Sequence, residues 1–472
     1  MKNLKKIIAF ILSVVMLCLV LCSCSNTGKS IVDSTYSNYE NLAQNASYIA
    51  NDGKIKNSFS LKGKKEENKF VTVDLGENIT DYNTVVVQEK TKTVTLFEIY
   101  GSNEQDANYE FLYQNDCIEG GHTCYLGDVN YRYLRIFVNG STGKYNVNSF
   151  KVYNIKADNA QDLRVNSYLV AEDIKEDTDY SKLDAVTDII VFGTAKYDKN
   201  GNIIFVDKDS NEIDESYYSE KIDLLKSKIG DRNINLICDI AMPYGDNNAD
   251  IISMMNDENV DNLVNSVAEF VNKYGFDGYD MDYEFPNSKS EWKAFNNFLR
   301  KLDKAIPDTI ISLAIAPWDL QFDNDVLGII DRAEVMLYDM FTTHNYHSIF
   351  STTVNGINKA IKGGFKPEQI DLGLPFYSRP TDRRAYWGNY NQFDIKDKYT
   401  NLFYFNDFDH QGNPMTATQY LNSVQMISDK TAFAIDAGLG GVMIWHMNCD
   451  LPYDNEFSLF KAITDTKALK QS

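Results

Sequence analysis

The sequence predicts a multidomain chain, an N-terminal all-β sandwich followed by an α/β domain of the (β/α)8 barrel class. Three observations carry this. Between residues 40 and 156, short runs of β-branched and aromatic residues are separated by turn residues, with no long helical pattern among them. Between residues 162 and 468, continuous apolar runs alternate with helical segments. Within that region "FDGYDMDYEF", Phe276 to Phe285, sets four carboxylates among aromatic side chains at strand spacing.

The chain has 472 residues, 43% of them hydrophobic, enough for two domains or more. Its net charge of -21 argues against nucleic acid or an anionic membrane surface as the main partner, because both attract Lys and Arg. A neutral or cationic ligand fits that charge. The 30 tyrosines suit sugar faces, although Tyr-rich cores are common.

Taken in order, residues 1–23 read as a secretory signal. Lys2, Lys5 and Lys6 precede an apolar run from Ile7 to Leu21, which is short for a membrane span. Leu21-Cys22-Ser23-Cys24 resembles a bacterial lipobox, which implies cleavage before Cys24 and lipid on its thiol; a plain signal peptide is the alternative. The lipobox implies an extracellular protein anchored to the bacterial cell membrane, touching it through the lipid alone. Residues 24–39 are a polar tether. Of the seven cysteines, Cys117 and Cys124 could form a local disulfide, whereas Cys238 and Cys449 lie in apolar runs as packing residues. No pair has zinc-site spacing, and no metal or cofactor is expected. A monomer is expected.

The sandwich, residues 40–156, contains "VTVDLG" (Val71–Gly76), "FEIYGSN" (Phe97–Asn103) and "YLRIFVNG" (Tyr133–Gly140). These segments resemble the discoidin-like, coagulation-factor type C family, which includes many carbohydrate-binding modules. The loop "NDGKIKNSF" near Asp52 and Gly53 departs from that family in lacking a Trp, since all four Trp lie after residue 290. A spacer domain is therefore the alternative, and any sugar contacts would come from exposed Tyr or His122.

From residue 163, eight strands are expected at "VNSYLV", "TDIIVFGT", "INLICDIA", "FDGYDMDYE", "TIISLAIAP", "AEVMLYDMF", "QIDLGLPFY" and "GGVMIWHM". Apolar strands separated by helices imply a parallel sheet covered on its outer face. Leu263, Val267, Phe270, Val271 and Tyr274 share one helical face ahead of Gly275, and Trp292, Phe295, Leu299, Leu302 and Ile306 share another. A doubly wound sheet is the alternative, but no glycine-rich phosphate loop is present. In a barrel, active sites sit at the C-terminal ends of the strands. On the fourth strand Asp280, Asp282 and Glu284 point one way, Tyr279, Met281 and Tyr283 the other. Acids so close cannot all ionise, and a proton retained on Glu284 at the rim makes a general acid.

"DGYDMDYE", Asp277–Glu284, resembles the Asp-Gly-x-Asp-x-Asp-x-Glu signature of glycoside hydrolase family 18, the chitinases and endo-β-N-acetylglucosaminidases. "MLYD" (Met336–Asp339), "GLPFYSR" (Gly373–Arg379) and "GGVMIWHMNCD" (Gly440–Asp450) resemble its later motifs, on the sixth, seventh and eighth strands. The resemblance implies hydrolysis of N-acetylglucosamine polymers by a retaining mechanism in which the substrate's acetamido oxygen attacks the anomeric carbon. Glu284 would be acid and base, Asp282 would orient the acetamido group, Asp280 would share a proton with Asp282, and Tyr338 would donate to the acetamido group. Trp445 would floor the site, with Met336, Asp339, Tyr377 and Arg379 around the substrate; Arg379 also reads as a structural ion pair. Asp277 belongs to the signature and is counted with the substrate-binding set, although its position outside the alternation suits shaping the start of the strand. Trp318 and Trp387 are candidates for outer subsites. Many relatives carry a Ser-x-Gly-Gly turn where this chain has "CDIAMPYG", and the segment between the last two strands is short for an inserted lobe, which implies a shallow groove. An N-glycan-cleaving endoglycosidase and a non-catalytic lectin remain alternatives.

Overall fold

The computed structural model describes residues 30–50, 55–56, 60–62, 69–89, 95–118, 120–139, 144–243, 248–342 and 344–471. The leader, Cys24 and most of the Asn51–Phe59 loop lie outside them. Among the described residues no helix is long and apolar enough to cross a membrane.

Eight parallel strands close into a barrel. They are β1 (Arg164–Val170), β2 (Asp188–Phe192), β3 (Asn235–Asp239), β4 (Gly278–Asp282), β5 (Ile310–Ile315), β6 (Arg332–Val335), β7 (Ile370–Pro375) and β8 (Gly441–Trp445). Ring closure comes from β1, which pairs with both β2 and β8. Outside the ring lie α1 (Glu215–Ile229), α2 (Val260–Tyr274), α3 (Lys289–Ala305), α4 (Phe350–Lys362), α5 (Val424–Asp436) and α6 (Leu459–Gln471). The apolar stripe of α2 is buried, and Gly275 ends the helix in the left-handed region that glycine enters without a Cβ clash. Helix α3 starts where Ser288 Oγ accepts from the Glu291 amide, and it buries Trp292, Phe295, Leu299 and Leu302.

The helical alternation fails twice. Only 3-10 turns join β1 to β2, and a single turn, Asn324–Leu327, stands between β5 and β6. The first linker explains itself, because "EDIKEDTDYSKLD" has no apolar stripe to bury. Between β7 and β8 stands a three-stranded antiparallel sheet rather than a larger lobe: Arg379–Pro380, Leu402–Phe408 and Pro414–Tyr420.

The lower lumen is polar. Arg332 pairs with Asp188 at 2.7 Å and Arg164 with Asp371 at 2.7 Å. Asn166 Nδ2 donates to Glu334 and Asp371, both at 2.7 Å. Charges buried this deeply persist because each meets an opposite charge or a donor.

The N-terminal region forms two antiparallel sheets of six and four strands. Val71, Val73, Phe97, Ile99, Leu134 and Ile136 from the larger pack against Val85, Val87, Phe150 and Val152 from the smaller. Their strands span Lys69–Asp74, Thr95–Ser102 and Tyr133–Asn139 on one side, Tyr82–Glu89 and Lys144–Tyr153 on the other. Cys124 is a buried free thiol, so it does not form the disulfide considered with Cys117, whose side chain lies outside the described residues. The strands bearing these two residues belong to different sheets. Cys238 and Cys449 are likewise buried and free.

The sandwich is docked on α5. Asp429 accepts from the Tyr113 hydroxyl at 2.7 Å, the Tyr125 amide at 2.8 Å and Gln425 Nε2 at 3.0 Å, and lies 2.8 Å from His122 Nε2. His122 is only 3% exposed, which corrects its assignment as a surface sugar contact: the ring seals the joint between domains. A second buried pair, Lys470 with Asp436 at 2.6 Å, is joined by the Tyr36 hydroxyl from a short helix, Ile31–Tyr36, whose buried Ile31 and Tyr36 correct the reading of this stretch as part of a polar tether. Asp429→Ala is expected to destabilise the fold by about 3–5 kcal/mol, since it strands buried donors without an acceptor. Chemical denaturation checks this, and an unchanged midpoint would refute the joint.

Candidate active site

Two sets of side chains leave β4 on opposite faces. Tyr279 accepts from the Tyr197 hydroxyl at 2.9 Å and packs on Phe298, and Tyr283 donates to Glu291 at 2.8 Å and meets Phe295 edge-on. That face is anchored by α3. On the other face Asp280 is fully buried and accepts from the Tyr168 hydroxyl at 2.7 Å. Asp282 lies above it, half-buried, with Oδ1 shielded from solvent. Glu284 follows just past the end of the strand and is exposed at the mouth.

Burial, the Glu284 charge and the Asp280 charge together push Asp282 well above the usual carboxylate range. Burial also raises Asp280, against the Ser312 and Tyr168 hydroxyls and the positive charge of Arg332. For Glu284 the surrounding protein and then the Asp339 charge act upward, but water on its open side limits the effect. The direction is the one expected of a general acid, although the mouth is open rather than enclosed. The strongest hold on protons is deeper, on the aspartates, because hydration is lost there first.

Met336, Leu337, Tyr338 and Asp339 stand just beyond β6, not on it. Tyr338 is T-shaped to Tyr377 at 6.0 Å, and its hydroxyl lies 3.9 Å from Met443 Sδ on β8. The charges of Asp282 and Glu284 both reach it. Asp339 takes left-handed backbone (φ 56°) and is clasped by Arg379 through Nε at 2.6 Å and through Nη2. Tyr377 donates to it at 3.0 Å, and His347 Nδ1 stands 3.7 Å away. Burial alone would raise Asp339, yet His347 and Arg379 outweigh it and hold the carboxyl well below the usual range. Arg379 therefore has the ion-pair geometry, with Asp339 kept ionised at the pocket edge.

Trp445 ends β8 and packs on Tyr168 at 5.2 Å and Phe192 at 5.3 Å. Met336, Trp318, Phe285 and Tyr338 belong to the same aromatic-rich lumen cluster. The peptide bonds Glu284–Phe285 and Trp445–His446 are cis. Trp318 contacts Phe285 at 5.4 Å, and Trp387, 48% exposed, contacts Tyr377 edge-on at 5.5 Å. Asp277 is not with them. It sits at the opposite end of β4, where Oδ2 accepts from the Leu236 amide at 2.8 Å. Three residues of extended chain cover about 10 Å, so it leaves the substrate-binding set and shapes the start of the strand.

Sequence reasoning passed over Asp239 and Tyr168, which flank Asp280. Neither belongs to a local motif, and their meeting depends on strand register: Asp239 is the Cα partner of Asp280. Among the described residues no group of three or more His, Cys, Asp or Glu is arranged to hold a metal ion.

Comparison with known proteins gives this geometry a family. Residues 164–450 match the model of glycosyl hydrolases family 18. Chitinase A1 of Niallia circulans is 26% identical over 256 residues, 40% of this chain and 37% of that protein, so the chain spans well under half of that relative's length. Among solved structures, the chitinase ChiB of Flavobacterium johnsoniae aligns with TM-score 0.50 at 21% identity, covering 66% of this chain and 94% of that one. A chitinase of Cycas revoluta, solved with (GlcNAc)4, aligns with TM-score 0.51 at 17% identity, covering 64% and 99%. With an eight-stranded barrel and more than half its length matched, the chain belongs to glycosyl hydrolases family 18.

Proposed function

We propose that this protein is a chitinase-like glycosidase that hydrolyses β-1,4 linkages between N-acetylglucosamine units, with retention and with the substrate's own acetamido group as nucleophile. The observation that carries the reading is the column Asp280–Asp282–Glu284, which rises from a sealed floor to an open mouth beside Tyr338 and Trp445. Glu284 gives its proton to the glycosidic oxygen while the acetamido oxygen closes on the anomeric carbon. Asp282 orients that amide and offsets the positive charge of the resulting oxazolinium ion. Glu284 then takes a proton from the water that opens the ring, which restores the enzyme. Trp445 is the apolar floor, and Met336, Tyr377 and Asp339 line the site, with Arg379 fixing Asp339. The small lobe between β7 and β8 favours a shallow groove and internal cleavage.

The test uses the chain lacking residues 1–24 with chito-oligosaccharides and with a high-mannose glycoprotein. Cleavage of the first supports the proposal. Cleavage of the second alone makes it an endo-β-N-acetylglucosaminidase, and binding without cleavage makes it a lectin. Tyr338→Phe is expected to lower kcat by about 10²-fold through loss of one donor, with KM little changed; steady-state kinetics on a chito-oligosaccharide measure it.

We also propose that residues 1–23 direct export and that Cys24 carries lipid, holding the enzyme on the outer face of the cell membrane. Loss of labelled palmitate from Cys24→Ser tests this. The sandwich is proposed as a discoidin-like module that braces the barrel; sugar retention by the isolated enzyme with its cleft blocked would give it a binding role instead.

A further inference from the structure

We propose that Asp239 is a positioning residue of this site, a third carboxyl behind Asp280 and Asp282 that keeps its proton and donates it in a hydrogen bond to Asp280. The inference rests on the glycosidase reading and adds a residue to it.

Asp239 ends β3, faces Asp280 across the strand ladder and is fully buried. Among the described residues neither of its carboxyl oxygens has an N–H or O–H donor, and Asp280 Oδ1 has none either. Asp280 Oδ2 already accepts from Tyr168. Two ionised carboxylates side by side in a dry interior repel strongly and leave three acceptor oxygens bare. One proton between them removes both costs.

Which aspartate keeps it follows from the surroundings. The Ser312 and Tyr168 hydroxyls and the Arg332 charge favour ionised Asp280. The groups facing Asp239 are Asp280 and Asp282 from β4, the phenols of Tyr168, Tyr197, Tyr218 and Tyr279, and the Cys238 thiol beside it. None is a cation. Burial and then the Asp280 and Asp282 charges accordingly push Asp239 well above the usual carboxylate range.

The chemical role concerns where one negative charge resides. At rest Asp239 and Asp282 each hold a proton and Asp280, between them, is ionised. As the oxazolinium ion forms, the proton on Asp282 moves to Asp280, and Asp282 becomes the anion facing the positive ring. The three aspartates together carry one negative charge before and after, and the only proton given up in this step is the one Glu284 delivers to the glycosidic oxygen. Asp239 keeps Asp280 ionised at rest, and so free to accept that proton, by steadying it with a donor.

The test compares the full chain with Asp239→Ser, which keeps a hydroxyl donor but cannot ionise, and with Asp239→Ala, which has neither. On a chito-oligosaccharide, Asp239→Ala is expected to lose about tenfold in kcat with KM little changed, whereas Asp239→Ser stays within about threefold of the parent. In Asp239→Ser the fall of kcat on the alkaline side loses one ionisation and moves to higher pH. Superimposable pH profiles for the parent and Asp239→Ser, or full activity in Asp239→Ala, would overturn the proposal.

A second readout needs no activity, so it separates this proposal from the glycosidase reading. A buried acid with a raised pKa binds its proton more tightly folded than unfolded, so the parent loses stability relative to Asp239→Ser as pH rises from about 4. The melting temperature of Asp239→Ser is expected to gain on the parent steadily with pH. A difference that does not vary with pH overturns the inference even if the enzyme cleaves chitin; a growing one supports it even if no cleavage is found.

Discussion

Glu284→Gln is expected to lower kcat on chito-oligosaccharides by about 10³-fold, within the 10²–10⁴ range for loss of a positioned general acid. The folded state should hardly change. Glu284 is exposed and lies beyond the last residue of β4. KM should also hold, because the amide keeps the shape and removes only the transferable proton. The loss should depend on the leaving group. An aryl glycoside whose aglycone departs as a stable anion needs no proton, so its first step should recover much of the rate. Equal loss on both substrates would assign the acid role elsewhere.

Asp282→Asn is expected to cost about 10²–10³-fold in kcat on the same substrates, and the activated leaving group should not rescue it. The reason lies in the charges. Asp282 sits between Asp280 and Glu284, and the amide can neither become the anion that faces the oxazolinium ion nor pass a proton to Asp280. The variant should be at least as stable as the parent, because an acid pushed well above its ordinary range is costly to ionise in place. Differential scanning calorimetry beside the kinetics checks both halves. Full activity in Asp282→Asn would remove this residue from the chemistry.

How much of this was readable beforehand depended on how local each signal is. The eight strands were legible as continuous apolar runs, and the split of Asp280 and Asp282 from Tyr279 and Tyr283 followed from a two-residue period. Asp277 shows the limit of a motif: three residues earlier and off the alternation, it falls at the far end of the strand. Asp239 and Tyr168 carry no local pattern, and only closure of the ring brings them to Asp280. His122, in "GGHTCY", looked like a surface group because its partner, Asp429, lies more than 300 residues away on α5. The missing helix between β1 and β2 was visible as a charged linker but was hidden by counting units.

The joint at Asp429 has a mechanical consequence. Because the acid is shared by strands of the sandwich and by α5, the two bodies have no swivel between them: turning one would drag buried polar groups past apolar neighbours. Any material gripped by the front module is thus presented to the cleft at a fixed bearing, like work held in a vice.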